Sequence, residues 1–222
     1  MKKLNKIMLI LSLLPTLLTS VFIFFMNDTV PMHYNASGAV DRYGSKYENF
    51  IFPAIILFMY AFYMVYTKIY TKYSTNSVEK INNNAKITAI HVTSIIEAFN
   101  ILQLMFLILA VLNPDSTTFT DNVPFIINTV MGLMLIIAGN FLPKTKRNSF
   151  IGVRTSWTKS SDLAWYESNR AGGIAFVVTG VLTIIESSFI KGINSTIIMV
   201  AILLISIAVA YIYAYIKVKK SA

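Results

Sequence analysis

Six separate apolar runs restrict the possible folds of this chain more than any other feature of its sequence. They cover residues 7–26, 50–70, 87–112, 123–142, 174–190 and 196–216. A helix needs about 20 mostly apolar residues to cross a bilayer core. Charged residues make up only 13% of the chain, against roughly 25% in soluble domains. The sequence therefore predicts an all-α integral membrane protein with six transmembrane helices.

The basic residues predict the orientation of these spans. Six spans place both termini on one side, and sixteen of the nineteen Lys and Arg residues fall on that side, leaving only Arg42, Lys46 and Lys191 on the other. Loops rich in Lys and Arg stay in the cytoplasm, so both termini are predicted to be cytoplasmic. The first run is too long for a secretory signal and no small-x-small cleavage site follows it, so we expect it to be retained.

The predicted spans divide the chain into four parts. Residues 1–70 form a first helical hairpin with an extracellular loop at 27–49, and residues 71–142 hold the third and fourth helices. Residues 143–173 form a cytoplasmic loop, and residues 174–222 form a C-terminal helical hairpin with a basic tail.

Composition weighs against several classes of function. The chain has no Cys and only two His, and it lacks an HExxH motif, paired carboxylates on one helix and a Gly-rich phosphate loop. We therefore expect no enzyme activity, no metal site and no cofactor. The net charge of +9 is better explained by cytoplasmic lysines than by direct binding of nucleic acid.

Polar residues recur within the apolar runs. Glu97, Asn100 and Gln103 follow one another at helical spacing after Thr93, and Glu186 shares a helix face with Thr179 and Thr183. Such residues most often form hydrogen bonds between helices, but they could also line a water-filled cavity or a proton path. Because a carboxylate seldom faces lipid, Glu97 is predicted to face protein.

The outer loop contains VPMHYNASGAVDRYGSK, residues 30–46. Its Pro, Asn and Gly residues predict a strand, a turn and a second strand. His33, Asp41 and Lys46 are its main charged or titratable groups. One His without a partner at ligand spacing is a weak metal signal, so a hairpin that touches a partner or packs on the helix ends is favoured.

The inner loop gathers the side chains with the strictest geometric demands. Both Trp residues and three of the four Arg residues lie in or beside residues 148–170, in a chain with fifteen Lys. Arg is favoured over Lys where a planar contact is required. We expect Pro143 to end the fourth helix, Ser160 or Ser161 to cap a short helix, and Gly172-Gly173 to stop it. Trp157 is predicted to pack near Arg154.

Residues 139–173, GNFLPKTKRNSFIGVRTSWTKSSDLAWYESNRAGG, resemble the signature of the SdpI family, bacterial membrane proteins that give immunity to a secreted toxic peptide. Residues 31–46 resemble the N-terminal module usual in that family. One departure is Ser156, where Pro is usual. The matching positions inside are Gly139, Asn140, Asn148, Gly152, Arg154, Thr155, Trp157, Thr158, Trp165, Asn169 and Arg170, and those outside are His33, Asn35, Gly38, Asp41 and Lys46.

The resemblance implies a non-enzymatic immunity protein of the bacterial cytoplasmic membrane with a secreted toxic peptide as its partner. It also suggests a receptor whose cytoplasmic face holds a small DNA-binding repressor. Anionic lipid headgroups are the simpler partner for the basic inner loop. An ion-coupled transporter or exporter of a peptide or lipid is the alternative. Whether the inner loop is a binding site or a structural plug stays open at this stage.

Overall fold

The computed structural model describes residues 2–35, 40–112, 123–148 and 150–220, and most of these residues are helical. Each of its six long helices is long and apolar enough to cross a membrane, which confirms the predicted fold class. The helices are α1 Lys2–Phe22, α2 Ile51–Tyr73, α3 Val78–Leu112, α4 Val123–Phe141, α5 Asp162–Ser187 and α6 Ile193–Lys220.

The helices form two groups of three that meet along α3 and α4. In the first group, α1, α2 and α3 pack around a buried cluster of Met8, Ile56, Tyr63, Ala89 and Ile96. In the second group, α5 packs against both α4 and α6. A contact between the groups comes from His91 of α3, whose Nε2 lies 3.3 Å from the carbonyl oxygen of Ala138 on α4.

Glycines bring α4 and α5 together. A Cβ atom added to Gly173 would lie 2.6 Å from the carbonyl oxygen of Gly139, and one added to Gly180 would lie 2.4 Å from that of Gly132. Small residues allow this close approach of helix backbones in membranes. The predicted stop at Gly172-Gly173 is wrong for this reason: α5 runs unbroken through both glycines, and Gly173 is required for packing.

The start of α5 and the end of α4 lie where the sequence predicted them. Ser161 is the N-cap of α5, and its hydroxyl accepts a 3.0 Å hydrogen bond from the amide of Ala164. Asp162 follows in the first turn, where a negative charge is favourable. α4 ends at Phe141, and Pro143 lies in the short 3-10 turn Leu142–Lys144 that follows.

The outer loop folds as the predicted hairpin. Strands β1 (Thr29–Tyr34) and β2 (Val40–Ser45) pair antiparallel. Val30 is fully buried and packs with Leu107 and Ala110 near the end of α3. The connecting residues 36–39, which include the motif position Gly38, lie outside the described residues. The hairpin thus sits on the outer ends of the helices.

Candidate functional site: the signature segment

The stretch 139–173, called here the signature segment, is held against the cytoplasmic end of α3. The side-chain amide of Asn84 donates to the carbonyl of Lys146 (3.1 Å) and accepts from the amide of the same residue (2.9 Å). Asn83 adds a 2.9 Å hydrogen bond to the carbonyl of Lys144. This pairing satisfies the backbone of Lys146 from a buried side chain and fixes the first part of the segment.

Asn148 shapes the next turn from within. Its Oδ1 accepts hydrogen bonds from the amides of Phe150 (2.6 Å) and Ile151 (2.9 Å), and its Nδ2 donates to the carbonyl of Lys146. The Phe150 ring then meets Tyr66 and Tyr70 of α2 edge-on at 5.2 and 5.3 Å between centroids. The segment therefore returns to the helix bundle at this point.

Gly152, Trp165 and Asn169 form one interlocked unit. Gly152 has a φ of +123°, and a Cβ there would lie 2.6 Å from Asn169 Oδ1 and 2.8 Å from the Trp165 ring. Asn169 Oδ1 accepts a 2.8 Å hydrogen bond from the amide of Val153. Trp165 is buried and donates to the carbonyl of Thr145 at 2.9 Å. Only glycine fits this position, because both backbone angle and space exclude a side chain.

Arg154 lies between two fixed backbone positions. The Thr158 hydroxyl donates to the carbonyl of Val153 and accepts from the amide of Thr155, both at 2.8 Å. The Arg154 side chain is exposed, and its charge is close enough to act on the Tyr66 hydroxyl of α2. The framework thus presents this guanidinium from a rigid backbone.

Trp157 attaches the segment to α6. Its indole nitrogen donates a 2.6 Å hydrogen bond to the Tyr211 hydroxyl, and its ring lies edge-on to Tyr211 and Tyr215 at 5.4 and 5.6 Å. These two tyrosines of α6 are the ring partners that the structure shows for Trp157, and the packing of Trp157 near Arg154 stays a prediction. Together with the Asn84 contacts, Trp157 makes the segment a bridge from α3 to α6.

Arg170 and Asn140, like Arg154, have exposed side chains. Arg170 has no ion pair or hydrogen bond with any residue that the structure describes. Its neighbour Glu167 is almost fully buried and pairs instead with Lys217 of α6 at 2.9 Å. The segment's fold therefore does not use the Arg170 guanidinium.

The outer motif residues also form contacts within the hairpin. His33 Nδ1 and Asp41 Oδ1 are 2.5 Å apart across the two strands, and Lys46 pairs with Asp28 at 2.9 Å. Asn35 directly follows β1. The His33–Asp41 pair is exposed, whereas the Lys46 side chain is mostly covered.

The intramembrane polar residues do not act as one stripe. Asn100 donates to the carbonyl of Leu11 (3.0 Å), and Gln103 donates to the Thr19 hydroxyl (3.0 Å) and the carbonyl of Asn49 (3.1 Å). These are the interhelical hydrogen bonds expected of polar groups in a membrane. The prediction that Glu97 faces protein is wrong, since its side chain is exposed. At 3.6 residues per turn it projects about 120° away from Gln103.

Glu186 belongs to a separate cluster near the outer ends of α4, α5 and α6. Its Oε1 accepts a 3.0 Å hydrogen bond from the Ser195 hydroxyl, which in turn accepts from Asn128 at 2.7 Å. Its Oε2 is buried without a hydrogen-bond partner among the described residues, as are the hydroxyls of Thr179 and Thr183.

Sequence reasoning missed two residues of the site, Asn84 and Tyr211. Asn84 is the main clamp on the segment, and a signal for it existed in the run Asn82-Asn83-Asn84 at the start of an otherwise apolar helix. Tyr211 lies near the cytoplasmic end of the sixth apolar run, and nothing in the sequence paired it with Trp157.

Comparisons with known proteins found two family models and one curated protein that are similar to this chain. Residues 144–214 match the SdpI/YfhL protein family, and residues 10–57 match a domain of unknown function, DUF1648. The immunity protein SdpI of Bacillus subtilis (strain 168) is 26% identical over 205 residues, which cover 91% of this chain and 90% of that protein. No solved structure is detectably similar. The chain is therefore a multi-pass bacterial membrane protein that is similar to the SdpI/YfhL family over residues 144–214.

Proposed function

We propose that this protein protects a bacterium from a secreted, membrane-active toxic peptide by binding it at the outer face of the cytoplasmic membrane. The similarity to an immunity protein over nine-tenths of the chain supports this role. The proposal involves binding and not catalysis.

The outer hairpin and its surroundings supply a surface for such a peptide. Phe24 and Phe25 follow α1 with 83% and 70% of their surface exposed, and Tyr43 and Tyr47 of the hairpin region are also exposed. Aromatic side chains of this kind favour the membrane–water interface. A peptide that inserts into the outer leaflet would meet these rings together with the exposed His33–Asp41 pair.

A single helix contacts both the outer hairpin and the signature segment, and this observation supports a receptor role in addition to protection. Gln103 of α3 is hydrogen-bonded to the carbonyl of Asn49 beside the hairpin, while Asn84 of the same helix clamps the segment. The two residues are about 28 Å apart along the axis. A shift of the hairpin on binding peptide would move α3 and so reach the cytoplasmic face.

On that face, the signature segment would present Arg154 and nearby exposed lysines to a small DNA-binding repressor. Lys144, Lys146 and Lys159 are exposed there. Attraction to anionic lipid headgroups is the sequence-independent contribution of the same charges. The fixed backbone on both sides of Arg154 supports a partner contact of defined geometry.

An ion-coupled exporter receives less support. Glu97 is exposed on α3, whereas Glu186 lies among α4, α5 and α6 in another part of the bundle. The two carboxylates thus belong to different surroundings. Loss of protection when the proton gradient is collapsed would favour this alternative.

The experiment is a survival assay in a sensitive bacterium challenged with the toxin to which the Bacillus subtilis relative confers immunity. We expect cells making this chain to survive and cells with the empty vector to die. Gln103→Leu, which removes the hydrogen bonds to Thr19 and Asn49, should reduce protection at equal membrane abundance. Ala208→Leu, on an exposed position of α6, is the matched control. If the parent chain gives no survival against this toxin or against a panel of membrane-active peptides, the proposed function is wrong.

A further inference from the structure

A groove between α5 and α6 opens sideways to the membrane and has a volume of about 430 Å³. Its floor is formed by small residues at helical spacing, Ala171 and Ala175 on α5 and Ser206 and Ala210 on α6. Its walls are exposed apolar side chains, among them Ile174. The groove exists because neither helix carries a large side chain on the facing turns.

The cytoplasmic end of this groove carries a positive charge that the fold does not use. Arg170 lines the mouth, is exposed, and forms no ion pair with any residue in the described part of the chain. Among the described residues that line the groove, the one carboxylate is that of Glu167, which already pairs with Lys217. On its other side Arg170 borders a second groove, lined also by Asn140 and Tyr166, so further polar groups lie at the same level.

The depth of the groove corresponds to one leaflet. From Arg170 to Val178, the ends of the groove on α5, the rise is about 12 Å. The hydrocarbon half of a bilayer is about 15 Å thick. A ligand with a phosphate at Arg170 would therefore extend an acyl chain along the groove through most of the inner leaflet.

We propose that the α5–α6 groove is a binding site for an anionic phospholipid of the inner leaflet, with the phosphate bound by Arg170 and one acyl chain lying over Ala171, Ala175, Ser206 and Ala210. Charge complementarity identifies the occupant. The Arg170 guanidinium at the mouth has no ion pair among the described residues, and the end of α6 on the same side of the protein carries Lys219 and Lys220. A second copy of this chain would bring the same basic cytoplasmic face against it, whereas an anionic headgroup supplies the opposite charge. The site is independent of the proposed immunity role.

The test is native mass spectrometry of the purified full chain in detergent, titrated with phosphatidylglycerol, with phosphatidylcholine of the same acyl chains, and with inorganic phosphate. We expect one tightly bound phosphatidylglycerol per chain and weaker binding of phosphatidylcholine. Inorganic phosphate should not displace the lipid, because it lacks the acyl chain that fills the groove.

Two variants separate the charge from the groove. Arg170→Ala should weaken phosphatidylglycerol binding about tenfold, as expected for loss of a charge-assisted contact, with Arg170→Gln as a second variant if the first does not fold. Ser206→Leu should weaken it comparably by filling the groove. Their matched controls, Lys68→Ala on α2 and Ala208→Leu on α6, lie outside the groove and should bind as the parent does.

Several results would overturn the proposal. Equal affinity for phosphatidylcholine would remove the charge argument, and displacement by inorganic phosphate would make the occupant a free anion. Parent-like lipid binding by both Arg170→Ala and Ser206→Leu would place the lipid elsewhere. A lipid-free dimer that Ser206→Leu dissociates would assign the groove to a second copy of the chain.

Discussion

At the residue scale, the signature positions separate by what their side chains do. Asn148, Gly152, Thr158, Trp165 and Asn169 are buried in the segment or fix its backbone. Arg154 and Arg170 are exposed. The first group makes the segment rigid, and the two arginines are the motif residues placed to meet something outside it.

Asn84 provides a direct test of that rigidity. Asn84→Leu should destabilise the protein by about 1–3 kcal/mol, because it leaves the amide of Lys146 without its partner, while the carbonyl keeps only the hydrogen bond from Asn148. Increased cleavage of the segment by added protease and a lower melting temperature in detergent would report the change. Asn82→Leu is the control, since Asn82 lies on the same helix outside the clamp; equal effects of the two substitutions would contradict the assigned role.

Trp157 allows its two contacts to be separated. Trp157→Phe removes the hydrogen bond to Tyr211, worth about 0.5–1.5 kcal/mol net, and keeps a ring. Trp157→Ala also removes the ring contacts with Tyr211 and Tyr215, each worth about 0.5–1.5 kcal/mol. The free energy of unfolding in detergent should therefore fall in the order parent, Phe, Ala. If Ala is as stable as the parent, the segment is not attached to α6 through this residue.

At the element scale, the glycine pair in α5 shows where sequence reasoning fails. Gly-Gly after a polar helix predicts a stop in water, where glycine is favoured at helix ends. Within the bundle the helix continues and Gly173 permits close contact with α4, and no local pattern distinguishes the two uses. The N-cap Ser161 and the end of α4 just before Pro143 were predictable, because their signals depend on adjacent residues alone.

The same glycine pair offers a matched substitution. At Gly173 an added Cβ would lie 2.6 Å from the carbonyl oxygen of Gly139 and 2.9 Å from Pro143, whereas at Gly172 the nearest atom is Val153 Cγ2 at 3.0 Å, the end of a side chain. Gly173→Ala should lower membrane abundance and thermal stability clearly. Gly172→Ala should be close to neutral, because the helix preference of alanine over glycine, about 0.5–1 kcal/mol, offsets the cost of the close contact with Val153. Measured melting temperatures in the reverse order would contradict the packing argument.

The polar residues of α3 illustrate a related limit. The spacings of four, three and three from Thr93 to Gln103 predicted a single helix face. At 100° per residue, however, the side chains of Glu97 and Gln103 point about 120° apart. Asn100 and Gln103 point into the bundle and Glu97 does not. Which face of a helix is buried depends on the helices that pack against it. The sequence of one helix does not specify these neighbours.

At the scale of the whole molecule, hydropathy and charge were sufficient for the architecture. Six apolar runs and the sixteen-to-three division of basic residues predict the spans and their orientation. The signature segment was located by its unusual Trp and Arg content. Its contacts with α3 and α6 could not be predicted, because they join residues such as Asn84 and Lys146 that are 62 positions apart.

The orientation can be measured with single cysteines, because the natural chain has none. Cysteine at Tyr47, which is 60% exposed beside the outer hairpin, should react with a membrane-impermeant maleimide in intact cells. Cysteine at the exposed Ser160 should react only after the cells are opened. The reverse pattern would invert the topology and move the signature segment outside the cell.

The central claim is that the signature segment holds Arg154 for a contact of fixed geometry that immunity requires. The most direct measurement is survival under toxin challenge, normalised to membrane abundance through an epitope tag, for Arg154→Lys beside Arg154→Ala and Lys159→Ala. We expect both Arg154 variants to remain in the membrane and to lose protection, since lysine keeps the charge but not the planar fork, and we expect Lys159→Ala to protect. Protection by Arg154→Lys equal to that of the parent would contradict the claim and reduce the segment to a basic anchor.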